Sequence, residues 1–211
     1  MNLTPGQQRF LLDLARSAIV NTLRGMRSQA PQVNDPVLNT VSGCFVTLHE
    51  AASHRLRGCI GRIQSADPLV VGVHESAISV LQDPRFVNNP ITLQELPRLD
   101  LEVSVLSPLM PAASTLDFEP LEHGIFLTHQ GRTGTFLPQV ARETGWNREQ
   151  LLTRLCGEKM GISPEAWKEP TAKLYKYTAL VIGPVPFIEQ PSPRPAPPAM
   201  PGGLAGNSFR V

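Results

Sequence analysis

Apolar side chains recur with a helical period in two long segments of the chain. Residues 5–24 place them three and four positions apart, and Thr4 with Gln7 forms the pattern of a capping box. Residues 66–86 carry the strongest helical signal, with Asp67 positioned to cap the first turn and Asp83-Pro84 positioned to end the helix. The pattern therefore predicts two amphipathic helices in the first half of the chain.

Strand patterns occur in pairs joined by short polar segments. Residues 43–50 and 53–63 predict one antiparallel hairpin, and residues 124–138 predict a second. The dipeptide Gln130-Gly131 suits the turn of the second hairpin. Since the strands come as hairpins and do not alternate with helices, the sequence predicts an α+β fold with a mostly antiparallel sheet and flanking helices.

The segment 99–106, LDLEVSVL, alternates strictly between apolar and polar residues. This period of two predicts a strand with one buried face and one solvated face, and the solvated face would carry Asp100, Glu102 and Ser104. Asn147 is positioned to cap a helix over residues 148–160.

The end of the chain changes in composition. Residues 172–183 predict a last strand, and residues 184–211 are rich in proline and poor in large apolar side chains. Such a segment buries too little surface to offset its ordering entropy. The sequence therefore predicts one domain over residues 1–183, followed by a disordered, Pro-rich tail.

Charge and cysteine content narrow the function classes. The chain has 19 basic and 18 acidic residues, a formal net charge of +1, without the basic stripe of a dedicated nucleic-acid binder. Neither a signal-peptide pattern nor a membrane-spanning apolar run is present in the sequence. Three widely spaced cysteines are typical of free thiols in a reducing compartment. We therefore expect a cytoplasmic protein with neither nucleic acid nor membrane as its partner.

One predicted strand contains unusual chemistry. Residues 55–63 read RLRGCIGRI, and in a regular strand Arg57 and Cys59 share a face. A neighbouring guanidinium would lower the pKa of the thiol below its ordinary value of about 8.5. A bulge at Gly58 would instead reset the alternation and turn Cys59 inward, as a small packing residue.

No spacing of histidine and cysteine in the sequence is typical of a metal site, and no nucleotide-binding or cofactor motif is present. We therefore assign neither a metal nor a cofactor. His49 and His54 flank the turn that precedes Cys59, so either could approach the thiol as a base.

Several short motifs occur together in a characteristic order. They are LRGCIG (56–61), DPRF (83–86), LEVSVLSP (101–108), TFLPQVA (135–141), GW (145–146) and AWK (166–168). Together they resemble the AMMECR-one domain, whose prokaryotic form is called AmmeMemoRadiSam system protein A. The resemblance covers residues 5–183 and implies two α+β lobes that share a cleft, with the RGCIG segment at that cleft.

The resemblance also implies a set of site residues and partners. The site residues are Arg57, Gly58, Cys59 and Gly61 of RGCIG, Arg85 and Phe86 of DPRF, Pro138 and Gln139 of LPQV, and Lys168 of AWK. The implied partners are a Memo-like protein and a radical SAM protein. Structural roles are open as well, because Arg85 could tie down a turn, Gln139 could cap the next element and Lys168 could be a solvated charge.

Two functions follow from these residues. The chain is either an accessory or ligand-binding protein whose cleft is lined by Arg57 and Cys59, or an enzyme that uses Cys59 as a nucleophile or redox thiol with Arg57 stabilising the charge. We favour the first function, since no base with an orienting partner is recognisable for the thiol.

Overall fold

The computed structural model describes residues 2–188, which form an α+β fold of two lobes. Each lobe contains one four-stranded antiparallel sheet, in the orders β2-β1-β3-β8 and β4-β7-β5-β6. The helices are α1 (Pro5–Leu23), α2 (Leu69–Ser79), α3 (Pro138–Thr144) and α4 (Arg148–Arg154). The strands are β1 (Cys44–Glu50), β2 (Leu56–Arg62), β3 (Leu99–Leu106), β4 (Met110–Pro111), β5 (Gly124–His129), β6 (Arg132–Phe136), β7 (Lys173–Tyr177) and β8 (Ala179–Pro186).

The core of the first lobe lies between its sheet and helices α1 and α2. Alternate residues of the strands face the helices, so Val46 pairs with Val103 and Leu48 pairs with Leu101. All four of these side chains are fully buried. Because burial of each apolar side chain is worth about 1.5–3 kcal/mol, this layer holds the first lobe together.

The second lobe has a separate core. Its sheet packs against α3, α4 and a π-helical turn at Leu155–Met160 that continues α4. Trp167 is buried there, and its indole Nε1 donates a hydrogen bond to Thr153 at 3.2 Å. The chain passes between the lobes at Ser107 and Thr178, which exchange two hydrogen bonds.

Much of the predicted secondary structure is confirmed. Helix α1 begins with a capping box of Thr4 and Gln7, and Asn147 caps α4 in the same way with Gln150. The turn between β5 and β6 has positive φ at both Gln130 and Gly131. These elements depend on local chemistry, which a sequence contains in full.

The second predicted helix was wrong at its start, whereas the helical stretch stops at Asp83-Pro84 as predicted, after a 3₁₀ turn at Val80–Gln82. Pro68 is the N-cap without a side-chain hydrogen bond, and Asp67 lies near Arg62 instead. Helix α2 ends at Ser79 and is followed by two 3₁₀ turns, the second of them at Pro84–Phe86. Asp83 caps this second turn and accepts a hydrogen bond from the Arg85 amide.

The prediction of one strand over residues 172–183 was wrong as well. Two strands occupy this stretch, β7 in the second lobe and β8 in the first, with Thr178 between them. Strand β8 continues to Pro186, and Phe187 is buried in the first core. The fold therefore extends past the predicted boundary at residue 183, and most of the predicted tail lies outside the described residues.

Candidate functional site

A cleft of about 360 Å³ separates the two lobes. The first lobe lines it with strands β1, β2 and β3, and the second lobe lines it with β6, α3 and the π-helical turn. The lining residues are Phe45, Thr47, His49, Leu56, Cys59, Arg85 and Glu102 from the first lobe, and Thr135, Phe136, Leu137, Gln139, Val140, Glu143 and Lys159 from the second.

The register of the first sheet places three polar side chains in one row at this cleft. Thr47 of β1 pairs with Cys59 on one side and with Glu102 on the other. Neighbouring strands lie about 4.8 Å apart, so the row crosses three strands. The Thr47 hydroxyl donates a hydrogen bond to the Cys59 sulfur at 3.3 Å.

Glu102 is buried, with 9% of its surface exposed, and Ser104 is fully buried. The prediction of a solvated polar face on β3 was therefore wrong, because the second lobe covers this face. Gln139 of α3 reaches across and donates from Nε2 to Ser104 Oγ at 3.1 Å and to Glu102 Oε1 at 3.4 Å. Burial raises the pKa of the Glu102 carboxyl, and the nearby charge of Glu143 acts in the same direction.

Side chains from the turn after α2 hold the strand edge at Cys59. The Cys59 amide donates to Asp83 Oδ2 at 2.9 Å, and Arg85 Nη2 donates to the Cys59 carbonyl at 3.1 Å. Arg85 also binds Asp83 through two nitrogens, at 3.0 and 2.6 Å. Asp83 and Arg85 thus supply the hydrogen bonds that a neighbouring strand would make.

The surroundings of Cys59 disfavour ionisation of its thiol. Burial raises the pKa of Cys59, and the hydrogen bond from Thr47 and the charge of Arg85 offset this only in part. A thiol in this environment is protonated at neutral pH, so it is a weak nucleophile.

Arg57 is not the neighbour of the thiol that the alternation predicts. A bulge sets Gly58 opposite Leu48 and Leu56 opposite His49, which removes Arg57 from the regular pairing. The Arg57 guanidinium is buried and binds Glu95 at 2.5 and 3.1 Å and the Asn89 carbonyl at 2.7 Å. Arg57 therefore fastens the segment that follows α2 to the sheet, and Arg85 is the cation beside Cys59.

The two glycines of the RGCIG segment serve close packing on opposite faces. A Cβ atom on Gly58 would meet Val80 on the helix side at 3.0 Å. A Cβ atom on Gly61 would lie 2.6 Å from Phe45 Cγ and would also clash with the Cys44 carbonyl. Gly61 thus makes room for the Phe45 ring that forms one wall of the cleft.

The structure brings three of the other predicted site residues near the cleft. Gln139 and Arg85 line it, and Phe86 lies beneath the guanidinium groups of Arg57 and Arg85, at 5.4 and 5.8 Å from ring centroid to Cζ. Pro138 is buried at the first turn of α3, a helix that the sequence did not predict.

Lys168 does not line the cleft. It binds Glu165 on the surface of the second lobe and lies over the Trp167 ring. The sequence patterns did not indicate that Thr47 and Lys159 line the cleft, and they predicted a solvated face for Glu102. Only the pairing of β1 with both its neighbours, which a single sequence does not display, could have brought Thr47 and Glu102 together with Cys59.

Two further observations concern the described part of the chain, residues 2–188. It contains no group of three His, Cys, Asp or Glu side chains arranged to hold a metal ion. None of its helices combines the length and the apolar character that crossing a bilayer requires.

The sequence of this chain matches a known protein family and several relatives. The AMMECR1 family model matches residues 12–182. The protein MJ0810 of Methanocaldococcus jannaschii is 35% identical over 186 residues, which cover 85% of this chain and 90% of that protein. PF1979 of Pyrococcus furiosus is 37% identical and covers 81% of this chain and 84% of its own length.

A solved structure has the same fold. The crystal structure of PH0010 from Pyrococcus horikoshii, an uncharacterized protein, superposes with a TM-score of 0.73 at 35% sequence identity. The match covers 82% of this chain and 88% of that one. The predicted resemblance and the predicted α+β fold are both confirmed.

Proposed function

Since this chain belongs to the AMMECR1 family and its two lobes enclose a polar cleft, we propose that it binds a small organic molecule between the lobes. The row of Cys59, Thr47 and Glu102 carries this proposal, because it buries polar groups with few partners of their own. Burying polar groups costs free energy unless they are paired. Gln139 Oε1 at this cleft is buried without a hydrogen-bond partner among residues 2–188, and a ligand in the cleft would supply one.

The lining of the cleft supports the same function. Aromatic and aliphatic side chains from both lobes, including Phe45, Phe136 and Val140, form walls around a few polar groups. Small-molecule sites commonly combine apolar walls with convergent polar groups, in cavities of about 300–1,000 Å³. The observed volume of about 360 Å³ suits a compact metabolite.

The state of the thiol favours binding over covalent catalysis. A nucleophilic cysteine needs a lowered pKa or a base that removes its proton, whereas burial raises the pKa of Cys59. The enzyme alternative retains one supporting observation, which is that Cys59 lines the cleft close to the Arg85 guanidinium. We expect the sulfur to contact the ligand as a weakly polar surface.

The family resemblance extends the proposal to an accessory role. In it the chain acts with a Memo-like protein and a radical SAM protein in the cytoplasm, and presents or receives the cleft ligand. Purified partners from the same organism test this role in a pull-down. Retention of either partner supports it, and failure of both to bind at micromolar concentration contradicts it.

The cleft itself is tested by a metabolite screen with the wild-type protein, read out as thermal stabilisation. A true ligand raises the melting temperature and slows modification of Cys59 by N-ethylmaleimide. Val140→Trp fills the cleft and should abolish both effects, whereas Val87→Trp, at a position 72% exposed and outside the cleft, should leave them intact. Compounds that stabilise the Val140 variant equally, or that never protect Cys59, contradict the proposal.

A further inference from the structure

The charged groups of the cleft differ in whether the protein already neutralises them. Arg85 forms a bidentate pair with the buried carboxylate of Asp83, so this pair brings little net charge to the cleft. Glu102, Glu143 and Lys159 have no ion pair within residues 2–188. These three groups are left to interact with whatever occupies the cleft.

Glu102 lies deep in the cleft. Within residues 2–188 its carboxylate receives two hydrogen bonds, both long at 3.4 Å, from Gln139 Nε2 and Ser104 Oγ. The titratable groups that face it are His49 of β1, Cys59 of β2 and Glu143 of α3. A buried carboxylate with neutral donors and a second carboxylate nearby is stabilised strongly by a cation placed against it.

Lys159 lies at the mouth of the cleft, on the other lobe. Its side chain is exposed, and its Nζ atom lies 5.9 Å from the centroid of the Phe136 ring. The ammonium is held over an aromatic wall without a carboxylate partner in the described chain. It is therefore available to an anionic group that enters from solvent.

We propose that the ligand of this cleft is a zwitterion that places an amine against Glu102 and an acid group against Lys159, with an apolar segment between them. The inference deepens the proposed function and rests on it. The two charges come from different lobes and differ in depth, so the amine and the acid are separated along the molecule. Phe45, Phe136 and Val140 supply apolar surface in the same cleft. An ω-amino acid or a short peptide has this chemistry, and opposite charges at its two ends fix its orientation.

A matched set of six-carbon compounds tests each charge separately. We would measure the dissociation constants of 6-aminohexanoate, norleucine, hexylamine, hexanoate and hexanol by ¹H–¹⁵N chemical-shift titration of the wild-type protein. The expected order of affinity is 6-aminohexanoate first, then hexylamine, then hexanoate and hexanol. Binding of norleucine equal to that of 6-aminohexanoate would overturn the separation of the two charges.

Two variants assign the charges to residues. Glu102→Gln should lower the affinity for 6-aminohexanoate and hexylamine about tenfold and leave the affinity for hexanoate unchanged, since only the amine loses its partner. Lys159→Met should lower the affinity for 6-aminohexanoate a few-fold without changing the affinity for hexylamine. Lys168→Met removes an exposed lysine of the same lobe outside the cleft and should change none of these affinities.

Several results would overturn the inference. Hexanoate or hexanol binding as tightly as the amines would do so, as would unchanged amine affinity in a folded Glu102→Gln protein. If that variant does not fold, the Lys159→Met variant tests the inference, because it should lower the affinity for 6-aminohexanoate and leave that for hexylamine unchanged. If no six-carbon compound binds while a screened metabolite protects Cys59, the zwitterion is wrong and the cleft remains a binding site. If no metabolite protects Cys59 either, the proposed function fails as well.

Discussion

The two faces of the first sheet are both covered, yet they differ completely in chemistry. The face toward α1 and α2 carries Val46, Leu48, Leu101 and Val103, which pack as a dry core. The opposite face carries Thr47, His49, Cys59, Glu102 and Ser104 and meets the second lobe across a cleft. The same strands thus alternate between residues that stabilise the fold and residues that gain little from burial.

This difference indicates what each face is for. Apolar burial contributes to folding without further conditions, whereas a buried carboxylate or hydroxyl contributes only when it is paired. The second lobe covers the polar face without filling it, and among the described residues only Gln139 reaches across to hydrogen-bond Glu102 and Ser104. The helix-side face therefore determines stability, and the cleft-side face is available for recognition.

The largest effect expected from this comparison is on the helix side. Leu101 is fully buried between β1, β8 and the helices, and Leu101→Ala leaves a cavity there. The free energy of unfolding should fall by about 3 kcal/mol, as is typical for such truncations. Urea denaturation followed by circular dichroism measures it. A loss below about 1 kcal/mol would show that this face is not a packed core.

A smaller loss is expected where the two faces meet the RGCIG segment. Gly61→Ala places a methyl group 2.6 Å from Phe45 Cγ and against the backbone of β1. The added atom should reduce the free energy of unfolding by about 2 kcal/mol, because the backbone on that side cannot move away. The matched control is Gly6→Ala, where a Cβ atom would meet nothing within 4 Å. Equal stabilities for the two variants would refute the close-packing role of Gly61.

The smallest effect on stability is expected at Glu102, and it should depend on pH. Because the folded state raises the pKa of Glu102, folding takes up a proton between the unfolded and folded pKa values, and stability falls as pH rises through that window. Glu102→Gln removes this dependence. Relative to the variant, the wild type should lose stability from about pH 4.5 upward and then level off. Urea titrations at several pH values measure the difference, and a constant difference would contradict the burial of this carboxyl.

Local chemistry made part of this fold predictable. The two capping boxes, the Gln130-Gly131 turn and the strict alternation of 99–106 each depend on residues close together in sequence. The short helix α3 escaped prediction, since its seven residues contain too little apolar repetition to indicate a helix. The sequence pattern also did not indicate that the strand is interrupted at Thr178, because the residues on both sides suit a strand.

The site was less predictable than the fold for a physical reason. Alternation places Glu102 opposite the core, but only the position of the second lobe shows that this face is buried. Alternation also places Arg57 beside Cys59, and a bulge in β2 reverses that relation. The family motifs contain Cys59 and Gln139, which both line the cleft, while the identity of the cation beside the thiol required the pairing of strands.

Whether Cys59 is a protonated thiol in a binding cleft or an activated nucleophile is tested most directly by its rate of alkylation by iodoacetamide as a function of pH, followed by peptide mass spectrometry. Cys44 and Cys156 are 2% and 0% exposed, so they are internal controls that should stay unmodified in the folded protein. We predict slow alkylation of Cys59 at pH 7 and a rise only above the pH at which an ordinary exposed thiol ionises, because burial raises the pKa of Cys59. A rate already at its plateau below that pH would reveal a stabilised thiolate, and the protein would then have to be regarded as a cysteine-dependent enzyme.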